Sequence, residues 1–420
     1  MLDWIKNELK DGKTLISYGG IRVGGYGLTF LIPIILAMKL SPEIFGIYSL
    51  GMMIIYFFNS TFILSSNTPF IIFGIDEIQK TQKISKTMTS RLILIAISTI
   101  IFLAITLLFR KQIIDFTLLT KIQFYFLVFV FAGKMLESFF GALFFVFNQR
   151  ILASMFQLTT AGLSVLYIII LFIFFEVTLE NVFLMFLIAP MISFCLFASK
   201  IEFKKIFPLS YDKHAFLKMT DYTKWMILGG SAVYLLNWGD NIILRRFSTM
   251  QEIGIYNLGY QFFKGTIMIM ATIRVYFLPF ISQNIDNKEK ITDYLLAKRI
   301  KLLFLGIIFL GILFFIMPYF VELLYKGRYG DSVLIFRILV IGALFALYSL
   351  FYAPIFDSLE RYKFTQSLIS VCVVFNLVLD YILVGRIGFM GAAIATSTTY
   401  FLMAVIKEVY FRKYCRSIVT

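Results

Sequence analysis

Runs of about twenty mostly apolar residues, long enough to cross a ~30 Å hydrocarbon layer, follow one another along this chain with only short polar breaks. Twelve such windows can be placed, with approximate cores at 15–38, 46–70, 92–109, 122–147, 153–175, 182–199, 225–246, 254–280, 302–324, 333–356, 364–384 and 389–411. Hydrophobic residues make up 60% of the 420, against about 45–50% in soluble domains, and the mean hydropathy is +0.87. In hydrocarbon a spanning segment of this length satisfies its backbone as a helix. The chain is therefore read as an all-α polytopic membrane protein.

Several chemistries drop out early. Cys195, Cys372 and Cys415 are odd in number and lack ligand spacing, so neither a disulfide framework nor a zinc site is expected. The single histidine, His214, lies in the polar central stretch "PLSYDKHAFLKMTD", which removes His-based metal sites and catalytic triads. No G-x-x-x-x-G-K-[ST] phosphate loop is present, so direct ATP hydrolysis is not expected. The "NST" at Asn59 falls inside a span and is no glycosylation site. The start, "MLDWIKNELKDGKTLISYGG", reads as a short amphipathic basic lead into an uncleaved first helix.

The formal charge is +15, from 39 Lys and Arg against 24 Asp and Glu. With the N-terminus cytoplasmic, about 24 of the cations fall on the inner side, about 9 outside and about 6 within spans, which by the positive-inside rule favours N-in and C-in. Lys80, Lys83, Lys86 and Arg91 mark one inner loop; Lys200, Lys204, Lys205, Lys213 and Lys218 the central one; Lys288, Lys290, Lys298 and Arg299 a third. Most of the excess is thus topogenic, and no nucleic-acid partner is needed to explain it.

Five cations resist that explanation. Arg22, Lys134, Lys264, Arg274 and Arg337 lie inside apolar windows, where a charge at the bilayer centre costs at least about 2.5–3.5 kcal/mol. Lys264 is about ten residues, or roughly 15 Å, into its span, too deep to snorkel. Arg274 and Arg337 are nearer span ends, where an interfacial head group with its stem along the helix is an alternative. Lys134 stands three residues before Glu137, on one helix face, so the two form an ion pair or share a substrate contact. Arg22, in "GGIRVGGYG", is flanked by small residues that let another helix approach, and it faces protein or water. The embedded acids Asp240, Glu137 and Asp380 are salt-bridge partners for such cations or sites of ion coupling.

Two passages match 208 residues apart: "SPEIFGIYSLG" from Ser41 and "TMQEIGIYNLG" from Thr249. A fainter pair, "FFVFNQR" ending at Arg150 and "PIFDSLER" ending at Arg361, lies at an offset of 211. The chain divides accordingly into a six-helix bundle over 1–205, a central cytoplasmic loop over 206–222 and a second six-helix bundle over 223–420. Six spans per half give parallel repeats about an axis along the membrane normal, an arrangement that forms a binding site near the midplane and works by alternating access.

The passage "AMKLSPEIFGIYSLG", its second copy, and "FNLVLDYILVGRIGFMGAAIATSTTYFL" across the last two spans resemble the polysaccharide flippases of the multidrug/oligosaccharidyl-lipid/polysaccharide exporter superfamily. The resemblance implies a MATE-like fold and an O-antigen-type flippase of the bacterial inner membrane, carrying an undecaprenyl-diphosphate-linked oligosaccharide to the periplasmic leaflet. It implies cations, Lys264 first, facing the anionic diphosphate, with Arg22, Lys134, Arg274 and Arg337 as further contacts. No bound cofactor is implied; coupling to H+ or Na+ is expected at Asp240, Glu137 or Asp380, and membrane potential or consumption of product outside are alternative energy sources. Membrane lipids, glycan polymerase and chain-length proteins are the implied partners. An ion-coupled drug antiporter of the same superfamily competes, though cationic cargo favours embedded acids over cations. A membrane glycan polymerase or ligase calls for a larger outer loop than the dozen residues from Arg110 to Lys121, and a lipid II flippase usually has two more spans.

Overall fold

A computed structural model of the protein describes the backbone of residues 2–415 and the side chains from residue 20 onward, apart from those at 271, 272, 275, 279 and 362 and beyond 415. Among the described residues there is no strand. The first half contains α1 (Leu2–Ala37), α2 (Pro42–Phe58), α3 (Asn67–Thr81), α4 (Ser85–Leu108), α5 (Arg110–Thr117), α6 (Lys121–Val146), α7 (Arg150–Phe174), α8 (Leu179–Phe197) and the single turn α9 (Phe203–Ile206). There follow α10 (Lys213–Phe247), α11 (Met250–Asn284), α12 (Lys288–Asp293), α13 (Arg299–Tyr325), α14 (Ser332–Leu350), α15 (Ala353–Ser358), α16 (Tyr362–Ile387) and α17 (Met390–Tyr414). The basic lead is the start of the unbroken α1, and its side chains lie outside the described residues.

Ten helical runs among the described residues are long and apolar enough to cross a membrane, so the protein is multi-pass. The long helices α10 and α11, both read as spans from the sequence, are not among the ten. Each has 35 residues, about 52 Å at 1.5 Å per residue, and in α11 the side chains at 271, 272, 275 and 279 lie outside those described. Polar side chains run through their middles: Asn237, Asp240 and Asn241 in α10; Asn257, Gln261 and Lys264 in α11.

The second window extends further than the sequence pattern indicates. Helix continues from Pro42 to Thr81, with a π turn at Asn59–Ile63 and a 3₁₀ turn at Leu64–Ser66 inserted between α2 and α3. The hydroxyls of Ser60, Ser65 and Ser66 donate to the carbonyls of Phe57, Ser60 and Ile63 at 3.4, 3.2 and 2.9 Å. Such back-bonding bends a helix off its regular ladder. Arg91 completes the break and corrects its reading as a loop cation. It is fully buried in α4, donating to the Ile63 carbonyl at 3.2 Å and to Asn67 Oδ1 at 2.5 Å. The stretch from Arg110 to Lys121 likewise contains a helix, α5, rather than open loop.

The duplication is written into the backbone turns. Ser41 Oγ accepts from the Ile44 amide and Thr249 Oγ1 from the Glu252 amide, both at 3.3 Å, so equivalent residues cap α2 and α11. Leu118 and Lys326, also 208 apart, both end helices in the left-handed region at φ 57° and 52°. Asn148 and Glu360 do the same at φ 56° and 55°; the next amides, Gln149 and Arg361, reach back to Phe144 and Phe356 at 2.8 Å, a Schellman turn in each copy. Structural equivalence there is 212 residues, one more than the side-chain match indicates.

By packing, the chain separates into two compact units, Met1–Lys39 with Ile47–Tyr234 and Leu40–Gly46 with Leu235–Thr420; the division falls within α10. In the first unit α1 lies on α7 and α6 on α8. A Cβ on Gly133 would come 1.7 Å from the Phe186 carbonyl oxygen, so α6 and α8 touch backbone to backbone. Asp212 caps α10, its Oδ1 accepting from the Ala215 amide at 3.0 Å and its Oδ2 from the Lys86 ammonium at 2.7 Å. The lysine hydrogen bond, then the helix-start amide, hold this carboxyl down to about 2. In the second unit α17 lies on α14 and α16, and α11 on α14. The run Gly391–Thr399 makes that closeness attainable: Ala392, Ala393 and Ala395 are fully buried, and small side chains let the helices approach.

Candidate functional site

Four helices of the second unit direct polar side chains into one buried cluster. Asp240 comes from α10; Tyr256 from α11; Asn376 and Asp380, one turn apart, from α16; Thr396 and Thr399 from α17. Asp240, Asn376 and Asp380 are each at most 2% exposed. Asn376 Nδ2 bridges the carboxylates, donating to Asp240 Oδ1 at 3.0 Å and to Asp380 Oδ2 at 2.6 Å. The Thr399 hydroxyl donates to Asn376 Oδ1 at 2.9 Å and so fixes the orientation of that amide. Asp240 Oδ2 accepts from Thr396 Oγ1 at 3.0 Å and from the Tyr256 hydroxyl.

Lys264 is an electrostatic neighbour of Asp240 but makes no ion pair with it. Among the described residues no lysine or arginine is ion-paired to either aspartate, and Asp380 Oδ1 is buried with no donor. Two carboxylates sharing one neutral amide in a low-dielectric interior are costly unless a positive charge joins them. A proton, or a small hard cation taking oxygen ligands from Asp240 and Asp380, fits that need. A transition metal does not: the described residues contain no group of three or more His, Cys, Asp or Glu side chains.

Lys264 lies two turns beyond Tyr256 on the α11 stripe that also carries Tyr260. Its Nζ is 4.1 Å from the ring centroid of Trp238 on α10 and 4.7 Å from that of Tyr260. Among the described residues it has no hydrogen-bond acceptor and no ion-pair partner, and Asp240 is its electrostatic neighbour. Aromatic faces stabilise a desolvated ammonium by about 2 kcal/mol and leave its three N–H donors unspent.

The other expected site residues have partners of their own. Arg274 pairs with Asp357, Nη2 to Oδ2 at 2.6 Å, in a half-exposed position. Arg337 Nε donates to the Phe314 carbonyl at 3.3 Å, and the guanidinium stacks on the Phe314 ring. That carbonyl lost its helical donor because Pro318, four residues on, has no N–H, so Arg337 mends a proline-made gap. In the first unit Lys134 and Glu137 form the ion pair anticipated from their spacing, at 2.8 Å. Arg22 donates to the Tyr26 hydroxyl at 3.1 Å and lies over the ring of Phe145. Lys264, Arg274 and Arg337, all in the second unit, are therefore held at three separate sets of contacts.

Sequence reasoning missed Asn376, Thr396, Trp238 and Arg91 as site or framework residues. An amide and an acid at Asn376 and Asp380, one turn apart in an apolar window, are the signal that could have found the first. Thr396 is bonded to Asp240 across 156 residues, a pairing no local spacing encodes.

Comparison with known proteins agrees with this architecture. Among solved structures, the inward-facing form of a multidrug resistance MATE family transporter superposes with a TM-score of 0.75, at 15% identity over 93% of this chain and 94% of that one. The lipid II flippase MurJ in an inward closed form gives 0.71, at 14% identity over 95% and 87%. Two curated relatives are an uncharacterised membrane protein of Methanocaldococcus jannaschii, 22% identical over 50% of this chain and 43% of its own length, and the capsular polysaccharide biosynthesis protein CapF of Staphylococcus aureus, 24% identical over 44% and 47%. The matched segment is thus less than half the length of either relative. Residues 12–285, more than half of the chain, match the model of the family described as polysaccharide biosynthesis protein, and this chain is a member of that family.

Proposed function

We propose that the protein is a flippase carrying an undecaprenyl-diphosphate-linked oligosaccharide, an O-antigen or similar repeat unit, from the cytoplasmic to the periplasmic leaflet of a bacterial inner membrane by alternating access. The observation that carries this reading is the Lys264 ammonium, partly buried against Trp238 and Tyr260 with no hydrogen-bonded or ion-paired anion among the described residues, Asp240 being an electrostatic neighbour only. A diphosphate supplies charged acceptors of the kind such an ammonium lacks, and charge-assisted bonds to it are about twice as strong as neutral ones. Lys134 and Arg274 would first have to leave Glu137 and Asp357, and Arg337 would have to leave a carbonyl. They and Arg22 are secondary contacts in this reading. Family membership, the capsular polysaccharide relative and the flippase fold support the cargo class. The Asp240–Asp380 pair is the coupling site, taking H+ or Na+, and glycan polymerase and chain-length proteins are the expected partners.

Lys264→Ala is expected to abolish surface glycan at normal protein level, and Lys264→Arg to retain part of it, in a complementation assay with immunoblotting of both glycan and protein. Normal glycan in the alanine variant would remove Lys264 from the mechanism. The buried acid pair favours one competing reading, an ion-coupled drug antiporter, because acids attract cationic cargo. Proteoliposomes separate the two: transfer of a fluorescent lipid-diphosphate oligosaccharide between leaflets supports the flippase, whereas ion-driven efflux of ethidium with no lipid transfer supports the antiporter.

A further inference from the structure

Where α13 meets α14 the second unit holds a cavity of about 330 Å³, inside the ~300–1,000 Å³ range of small-molecule sites. One wall is the end of α13, with Pro318, Val321 and Glu322; the other is Asp331 and the start of α14, with Leu334 and Arg337. Both helices belong to runs apolar enough to cross the membrane. The turn that joins them, residues 326–331, therefore stands at a membrane face, and the cavity lies at head-group depth.

Three charged side chains line this one cavity, and none of them neutralises another. Among the described residues the carboxylates of Glu322 and Asp331 make no ion pair and no hydrogen bond. Asp331 holds the N-cap position of α14 without a side-chain cap bond, although an aspartate placed there commonly accepts from the first amides. Arg337 gives its Nε to the Phe314 carbonyl that Pro318 left without a donor, and its guanidinium lies on the Phe314 ring. Its two Nη groups have no acceptor among the described residues. The charges are also ordered along the membrane normal. Arg337 is six residues along α14 from Asp331, about 9 Å deeper, and its level on α13 is Phe314, two turns before Glu322. The cation sits on the hydrocarbon side and both acids, exposed, on the water side.

We infer that this cavity holds the head group of one phosphatidylethanolamine-type lipid, its phosphate on Arg337 and its primary ammonium between Glu322 and Asp331. The order of the charges selects that occupant. In a bilayer leaflet the phosphate lies nearer the hydrocarbon than the amine it carries, and the cavity offers a guanidinium at the inner level and carboxylates at the outer one. The Nη fork of an arginine matches phosphate oxygens, and an ethanolamine ammonium has three N–H donors to divide between two carboxylates. A choline head group has no N–H to give them, and a glycerol head group presents them with no cation at all. Beside the cavity, Phe315, Tyr319 and Leu323 form an exposed stripe along α13, on which the acyl chains can lie. Such a lipid belongs to the scaffold, and any cargo that reached Arg337 would first have to displace it. The assignment does not depend on what the protein transports.

Full-length protein in detergent is titrated with the dioleoyl forms of phosphatidylethanolamine, phosphatidylcholine and phosphatidylglycerol, and retained lipid is counted by native mass spectrometry. One phosphatidylethanolamine is expected to be retained about tenfold better than either of the others, a difference within reach of charge-assisted bonds. Glu322→Gln combined with Asp331→Asn, both at exposed positions, should bring phosphatidylethanolamine down to the level of phosphatidylcholine. Arg337→Gln should weaken the retention of both. Equal retention of the three lipids by the native protein overturns the inference, as does an undiminished phosphatidylethanolamine preference in the double acid variant. So does loss of the retained lipid to soluble glycerophosphoethanolamine, which would give the cavity to a free zwitterion, or to magnesium ions, which would give the two acids to a divalent cation.

Discussion

Arg91 shows why a buried charge is hard to see in a sequence. It follows three lysines at the edge of an apolar window and reads as one more topogenic cation, yet its guanidinium holds together the break between α2 and α3. Replacing it with Met leaves the Ile63 carbonyl and Asn67 Oδ1 without donors, at about 1–3 kcal/mol each. Arg91→Met should therefore unfold at clearly lower temperature than the native protein in a detergent melting assay, with Arg91→Lys intermediate; an unchanged midpoint would mean the break is held by other bonds. The opposite case is Lys134 and Glu137, whose pairing was legible because i,i+3 neighbours share a helix face. Asp240 and Asp380 were legible as embedded acids but not as one cluster, since their link through Asn376 spans 136 residues. For that cluster, Na+ or mild acid should raise the melting temperature of the native protein, and Asp380→Asn should flatten the response. A native protein indifferent to both would leave the pair without a coupling role.

Between helices, the closest approaches are set by glycine. Inside the second unit, a Cβ on Gly254 would stand 1.8 Å from the Pro42 carbonyl oxygen, so Gly254→Ala must push backbone apart, and overpacking of this kind costs about 1–3 kcal/mol. Gly141 in α6 has nothing within 4 Å of an added Cβ. Fluorescence size-exclusion profiles should accordingly show loss of monodisperse protein for Gly254→Ala and none for Gly141→Ala. The repeated "GIYxLG" marked this contact in advance, though a repeat alone does not say what it touches. The same register holds a further lesson. Tyr56 is the first-half counterpart of Lys264, and it is an electrostatic neighbour of Lys134 on α6. One half thus carries its cation on the repeat helix itself, the other on a helix beside it.

For the molecule as a whole, hydropathy and repeat sufficed to read helices, many membrane crossings and an internal duplication. The windows counted twelve crossings; ten helical runs among the described residues qualify as apolar spans, and α10 and α11 are the two windows outside that ten. These two carry Asp240, Trp238, Tyr256 and Lys264, so the ambiguity in the count falls on the helices that build the candidate site. In α10 the polar run Asn237, Asp240 and Asn241 lowers the hydropathy of the helix that holds it, so the site residues there weaken the span signal. Orientation rests on the inner-side excess of Lys and Arg. A single cysteine at Lys213, in a variant lacking the three native ones, should resist impermeant maleimide in intact spheroplasts and react after permeabilisation; labelling without permeabilisation would reverse the orientation.

The glycine contact is also reciprocal. A Cβ on Gly46 would strike Met250, and one on Gly254 would strike Pro42, each clash being the other moved by 208 residues. Reciprocity of this kind is the mark of a homodimer interface. In a half-length ancestor meeting its own copy, one codon would have governed both sides of the contact, and any change would have been made twice over. A single chain carrying both copies is without that constraint. Each copy can then differ alone, as Lys264 differs from Tyr56.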